Sequence, residues 1–517
     1  MRKPAGIDVA RIVGVALGLV MATPGCSSDC ALSQTCAPEG VTGSGNGGLP
    51  PDGCVPVESG WGVESRCGVF VSSSLGDDGG DGTPDKPLQT LGAAIAKAQE
   101  GTGLVYACGE VFVGPVTLPG KVTLYGSLDC HYGWTYAPGS VRTTITAAPG
   151  QIPLRISGIE GPARMEDVDA MSLIDVEDPA LLGMSTIAAV AEGQVEILRC
   201  LIEAHAAAPG LDGEPYTEPG AGGPEGLPGA EACSKAVVVG GLGAVNDCGG
   251  TPDDFSDDSI GGLGGIGTMT MAGDGSAGSP GGDENDNGGQ GENTVVCKVG
   301  KLGSDGTAGA PGAGATSIGV LTSEGFTGAS GDEGGRGAKA QGGGGGGGAK
   351  GGIGAGKCAM QATAGGASGG SGGAGGCGGR GGRGGGAGGS SIALISLGAS
   401  FFFDGAVVAS GRGGPGGVGG PGQEGGVGGP GGAGGSKGAT AALNDGCAGG
   451  TGGKGGTGGK GGGGSGGHSF GIAYFGAAPS TEGLILYGGE SGRGGEGETP
   501  ESRGADGLKM DLIAFEN

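Results

Sequence analysis

Long glycine-rich tracts, broken by short apolar stretches that resemble one another, constrain this chain more than any other feature. Most of its 142 glycines fall between Leu201 and Phe470. The stretch Ser185-Thr186-Ile187-Ala188-Ala189-Val190 recurs as Thr316-Ser317-Ile318-Gly319-Val320-Leu321. It returns as Ser390-Ser391-Ile392-Ala393-Leu394-Ile395 and again as His468-Ser469-Phe470-Gly471-Ile472-Ala473. A motif that comes back after each tract reads as one stacked β-repeat scaffold with glycine-rich insertions, not as unrelated domains. Alternation within each copy sends every other side chain inside a coil, and a coil of about 20 residues fits the unit.

Aromatic residues make up 4% and charged residues 15% of the 517, too few large side chains for a conventional core along the whole length. Burial must concentrate between Val69 and Leu201 and in the repeats. A net charge of −26 disfavours nucleic acid and anionic lipid as partners and suits a soluble, cation-binding or self-repelling surface. At the N-terminus Arg2, Lys3 and Arg11 precede the apolar run from Ile12 to Ala22, which is too short to span a bilayer. Thr23-Pro24-Gly25 then leads to Cys26, an arrangement that resembles a bacterial lipoprotein signal with Cys26 as the acylated new N-terminus. An ordinary secretory signal is the alternative. Export follows from either, and membrane contact only from the lipid anchor. Fourteen cysteines suit an oxidising compartment; without a tight C-x-x-C pair they read as disulfide staples, not structural zinc ligands.

The chain divides into a signal peptide (1–25), a flexible cysteine-containing leader (26–66), N-terminal coils (67–208), coils interrupted by glycine-rich tracts (209–487), and a glycine-rich, acidic C-terminal segment with a last strand (488–517). The tracts cover 209–314, 327–389 and 411–467. From Pro87 to Gln99 the residues Leu88, Leu91, Ile95 and Ala98 share a helical face. Short strands follow, at Leu104–Tyr106, Val111–Val113, Val116–Leu118, Val122–Tyr125, Thr143–Thr146 and Leu154–Ile156, too closely spaced for crossover helices. An antiparallel sandwich and a parallel β-helix both fit; a helix before the strands favours the second, because it can cover the first coil.

The run Gly82-Thr83-Pro84-Asp85-Lys86-Pro87-Leu88-Gln89-Thr90-Leu91, followed by Ala93-Ala94-Ile95, Val105-Tyr106 and Val122-Thr123-Leu124-Tyr125-Gly126, resembles the opening of pectate-lyase-like proteins. That resemblance, which covers Cys67 to Ala204, implies an all-β right-handed parallel β-helix with an N-terminal capping helix and long glycine-rich loop insertions. The segment from Cys108 to Trp134 also resembles a group of secreted glycine-rich bacterial proteins of unknown activity, and Cys108 and Cys130 are its candidate disulfide. Within the tracts, Gly-Gly-X triplets such as Gly413-Gly414-Pro415-Gly416-Gly417-Val418 are similar to the glycine-rich repeats of mycobacterial PGRS proteins. A period of three matches an extended helix of three residues per turn, whose strands could bundle through backbone hydrogen bonds. Disorder is the alternative, since glycine loses most entropy on ordering.

Chemistry is sparse. A glycoside hydrolase needs convergent carboxylates, and the adjacent pairs near strands are Asp77-Asp78, Glu166-Asp167 and Glu177-Asp178. In an alternating strand Glu166-Asp167-Val168-Asp169 would split its charges over two faces and leave them solvated. No arginine or lysine stands in the setting a lyase requires. Asp283-Glu284-Asn285-Asp286-Asn287-Gly288 matches the first half of a calcium loop, with Asp283, Asn285 and Asn287 as ligands, but Thr294 replaces the closing glutamate. Asp253-Asp254-Phe255-Ser256-Asp257-Asp258 is a second acidic cluster. Gly351-Gly352-Ile353-Gly354-Ala355-Gly356-Lys357-Cys358 lacks the hydroxyl of a phosphate loop, and Gly463-Gly464-Ser465-Gly466-Gly467 lacks the strand-turn-helix setting of a nucleophile elbow. The expectation is an exported, non-catalytic structural or adhesive protein facing polysaccharide, envelope or matrix, with no cofactor beyond calcium. The alternatives are a carbohydrate-active enzyme on an acidic polysaccharide, and calcium-dependent self-assembly.

Overall fold

The structure is a computed structural model that describes residues 53–59, 62–250, 256–281 and 286–516. Its strands lie mostly in two parallel sheets. In the longer sheet Val69–Val71, Leu104–Cys108, Thr123–Asp129, Leu154–Glu166, Thr186–Leu198, Ser391–Leu397, Ser469–Phe475 and Lys509–Phe515 stand side by side in chain order. The shorter sheet runs from Val111–Val113 through Thr143–Thr146, Val168–Ser172, Leu201–Ala204 and Ala406–Ser410 to Leu484–Gly488. From Leu154 onward the chain alternates between the two, so each sheet grows in one direction.

Apolar residues of both sheets meet in one cluster that includes Leu118, Leu124, Ile145, Ile156, Ile197, Ile202 and Val408. The helix Leu91–Gln99 closes its first end with Leu91, Ala94, Ile95 and Ala98. It starts later than the apolar spacing suggests, because Leu88 bridges to Val71 and Thr90 caps the helix by accepting the Ala93 amide at 3.2 Å. The Asp78 carboxylate accepts the amides of Gln89 and Thr90 and the Thr90 hydroxyl, each at 2.9 Å. Partial desolvation opposes its charge, yet these hydrogen bonds hold the Asp78 carboxyl below the usual carboxylate range. On the outer face of the long sheet Phe70, Tyr106 and Tyr125 are register neighbours and stack at 5.0 and 5.4 Å. The disulfides Cys54–Cys67 and Cys108–Cys130 lie in the same cluster.

The repeat interval is not constant. Leu104 pairs with Thr123, but Leu154 pairs with Ala189 and Ser391 with Ser469, so a spacing of about 20 residues between neighbouring strands occurs at the start and not beyond. The copy at Thr316–Leu321 does not join the long sheet: Thr186 pairs directly with Ser391. It enters a local antiparallel hairpin, Val320–Thr322 with Gly325–Thr327. Leu321 and Phe326 pack over Ile187, Ile392 and Phe470. The residues that follow explain the difference, since Gly325 at φ 149° turns the chain back at once.

The glycine tracts are hydrogen-bonded strands with a three-residue period. Three consecutive amides of the 364–389 strand, Gly370, Ser371 and Gly372, donate to three different neighbours, Cys447, Leu227 and Gly262, at 3.0, 2.9 and 2.8 Å. The pattern repeats every third residue: Gly373, Gly376 and Gly379 donate to Gly450, Gly453 and Gly456. A pleated strand bonds in two directions, whereas three residues per turn bond in three. Close approach dictates the composition, because a methyl group at Gly381 would overlap the carbonyl oxygen of Gly334, and one at Gly376 that of Gly426. Backbone pairing therefore replaces side-chain burial as the cohesive element.

The bundle continues the sheets. The glycine strands that leave Leu201–Ala204 and Ala406–Ser410 remain neighbours, with Gly210, Gly223 and Gly229 donating to Pro415, Val427 and Ala433. Those that return into Ser391–Leu397 and Ser469–Phe475 also remain neighbours, through Gly382 to Gly459 and Gly388 to Ser465. Three disulfides, Cys233–Cys358, Cys248–Cys377 and Cys297–Cys447, staple the tracts across 125, 129 and 150 residues. Together with the two earlier pairs they suit an extracellular or otherwise oxidising environment. Among the described residues no helix is long and apolar enough to cross a membrane.

Candidate functional site

Where the chain passes from the long sheet to the short one, a single residue turns the corner in the left-handed conformation. Asp167, Arg199 and Gly405 do so at φ 55°, 51° and 61°, and Ser127, inside Thr123–Asp129 of the long sheet, takes the same conformation at φ 59°. These left-handed positions stack: the Ser127 hydroxyl donates to the Asp167 carbonyl at 2.9 Å, the Asp167 amide to the Leu198 carbonyl at 3.0 Å, and the Arg199 amide to the Asp404 carbonyl at 2.8 Å. The left-handed Asp167 breaks the alternation expected through Glu166–Asp169. All three carboxylates, Glu166, Asp167 and Asp169, are buried instead of solvated.

Three arginines neutralise them. Arg199 donates to Asp167 at 2.8 Å and to Glu166 at 2.6 Å. Arg164 reaches Glu166 at 2.6 Å and Glu196 at 2.8 Å. Arg142 pairs with Asp169 and stands 3.6 Å from Asp167. The Tyr136 hydroxyl donates to Asp167 at 2.7 Å; burial, and then that carboxylate, push the phenol above its usual range. Burial works against the Arg199 charge, but Asp167 and Glu166 hold its guanidinium more firmly protonated than in water. Beside them Cys200 is a fully buried free thiol, and burial pushes it up to about 12, which leaves it inert as a nucleophile. Carboxylates saturated by guanidinium groups act as an electrostatic clamp, not as an acid–base pair on a glycoside.

The sequence singled out the acids but not the arginines. The signal was in the repeats: Arg164–Ser172 superposes on Glu196–Ala204, and in that register Arg164 faces Glu196 while Asp167 faces Arg199. Charge reversal between equivalent positions marks the clamp.

Of the candidate calcium ligands, Asp283 and Asn285 lie outside the described residues, as do Cys26 and the signal peptide. Asn287 is buried among glycine strands: its Oδ1 accepts the Gly278 amide at 2.9 Å, and its Nδ2 donates to the carbonyls of Gly342 and Leu302 at 2.9 and 3.3 Å. Asp247, Asp257 and Asp258 bring carboxylate oxygens within 4.8 Å of one another, a donor set that suits a hard cation. Glu110 stands beside Cys108 and Cys130, but those sulfurs are joined and offer no thiolate. Its carboxylate binds the hydroxyls of Ser72 and Ser73 at 3.0 and 2.9 Å.

Compared with protein-family models, curated proteins and solved structures, the chain matches none of them.

Proposed function

We propose that this chain is an exported, non-catalytic structural protein of the cell surface. In this reading the two parallel sheets are walls of a right-handed, pectate-lyase-like β-helix, held at a membrane through an acylated Cys26. The glycine bundle extends that scaffold and presents its outer residues to polysaccharide or matrix. The observation that carries the reading is the three-way backbone bonding of the 364–389 strand. Cohesion by amides leaves every outward third position free to vary, which is what a display surface needs. Saturation of Glu166, Asp167 and Asp169 by arginines supports the non-catalytic part.

The test is incubation of the purified mature protein with neutral and acidic polysaccharides, with calcium present. Retention on a polymer without product release is expected. Oligosaccharide products that vanish in Glu166→Gln or Asp169→Asn would replace the scaffold with a carbohydrate-active enzyme. Fatty-acid labelling of the expressed chain, lost in Cys26→Ala, checks the anchor.

A further inference from the structure

The 364–389 strand changes character along its length. Its triplets carry Ser368, Ser371, Ala374 and Cys377, then Arg380 and Arg383. A three-residue period sets Arg380 and Arg383 on one side. The antiparallel 328–351 strand brings Arg336 and Glu333 beside them, since Gly334 and Gly337 donate to the carbonyls of Gly382 and Gly379 at 2.9 Å. The 209–232 strand adds Tyr216, whose hydroxyl donates to the carbonyl of Gly381, the residue after Arg380, at 2.9 Å. These five side chains line a depression of about 380 Å³.

The charge here runs against the rest of the chain. At a net −26 overall, three guanidinium groups face one carboxylate in this depression. At the sheet corners Arg142, Arg164 and Arg199 are all saturated by acids. Arg380, by contrast, makes no ion pair with a described residue. Arg336 donates to the Cys248 carbonyl at 2.8 Å, so the Cys248–Cys377 disulfide braces it. Among the described residues Arg383 pairs with the exposed Glu214 alone, at 3.3 Å, a contact worth little in water. A fork of guanidinium donors matches a carboxylate in two parallel hydrogen bonds. Tyr216 offers a flat apolar face to a sugar ring, and Glu333 an acceptor for its hydroxyls.

We propose that this depression binds a uronate residue of an acidic polysaccharide, its carboxylate held by Arg380 and Arg336 and its ring laid on Tyr216. The proposal rests on reading the chain as a non-catalytic scaffold that faces glycans. The test measures binding of the full mature chain to polygalacturonate, to its methyl ester, to dextran sulfate and to neutral dextran. Polygalacturonate is expected to bind and the methyl ester and dextran are not. Arg380→Gln should weaken binding about tenfold or more, as loss of a charge-assisted pair does, and Arg380→Gln with Arg383→Gln further. Arg412→Gln, the same charge change on an exposed arginine outside the depression, should leave it unchanged. Equal retention of dextran sulfate, or equal weakening by Arg412→Gln, would overturn the uronate site in favour of charge alone. Polygalacturonate binding untouched by Arg380→Gln and Arg383→Gln would sink the site while leaving the scaffold reading intact. Cleavage of the polymer would instead sink the scaffold reading itself.

Discussion

Arg199 stands over Asp167 at successive corners of the sheet stack, its Nε 3.2 Å from both carboxylate oxygens and its Nη2 2.8 Å from one. Both residues adopt left-handed backbone, so each corner is held by its own conformation and by its neighbour's charge. A buried charge left without its partner costs about 3–5 kcal/mol. Arg199→Met and Asp167→Asn should each lower stability by up to that order, the full cost being softened because Arg142 stays near Asp167 and Glu166 stays on Arg199. Arg199→Met with Asp167→Asn, which strands no charge, should cost less than the sum. Urea midpoints of the singles and the double check this, and additive losses would mean that the two are not coupled.

The glycine strands make the sharpest steric prediction. A side chain at Gly381 or Gly376 would meet a neighbouring carbonyl oxygen, and backbone cannot rotate away as a side chain can. Gly381→Ala and Gly376→Ala should each destabilise by at least the 1–3 kcal/mol or so of an overpacked core. Thr307→Ala, at an exposed third position, should fall within about 0.5 kcal/mol of the parent. Hydrogen exchange of the Gly376 and Gly379 amides, which donate to Gly453 and Gly456, should be slow in the parent and fast in the Gly376 variant. Fast exchange in the parent would mean that the tracts are solvated.

What the sequence made legible follows from which interactions leave a mark on composition. Parallel strands do: the apolar copies at Ser185, Ser390 and His468 become register neighbours, as in Ile187 beside Ile392 beside Phe470. The period of three in the tracts is equally visible, but an amide looks the same whether it donates to water or to Gly459, so order could not be told from disorder there. The copy at Thr316 failed because six residues do not determine where a strand docks; Thr322-Ser323-Glu324-Gly325 closes it into a hairpin first. At the corner, Glu166, Asp167 and Asp169 were visible, while Arg199, 32 residues beyond Asp167, becomes relevant only once the register is known.

The three bundle disulfides close loops of 125, 129 and 150 residues, long enough for the chain-entropy model to assign each about 4–5 kcal/mol on its own. Paired replacement of Cys297 and Cys447 by serine should lower the melting temperature and speed exchange of Gly300 and Gly303, whose amides donate to Ala448 and Thr451. The corner clamp, with no cysteine bridge of its own, should keep its protection. Loss of protection in both regions together would mean that bundle and sheets unfold as one cooperative unit.

His468 makes the last prediction, because it ties the displaced hairpin to the sheet. Its Nδ1 accepts the Leu508 amide at 2.9 Å, so Nε2 carries the proton and donates to the Ile318 carbonyl at 2.7 Å. The ring stacks on Phe470 at 4.8 Å and meets Phe326 edge-on at 5.4 Å. Burial, only partly offset by the bond to Ile318, holds its pKa below the ordinary histidine value of 6.5. The unfolded ring therefore takes up a proton before the folded one, and the stability tied to the neutral ring is complete above pH 6.5. It declines as pH falls below 6.5 and is lost through the lower folded value, when protonation of Nδ1 breaks the Leu508 bond. Proteolysis within Thr322–Gly325 should accelerate across that window in the parent. In His468→Gln, which does not titrate there, the rate should be insensitive to pH between 7 and 5, and an unchanged pH profile would remove His468 as the latch.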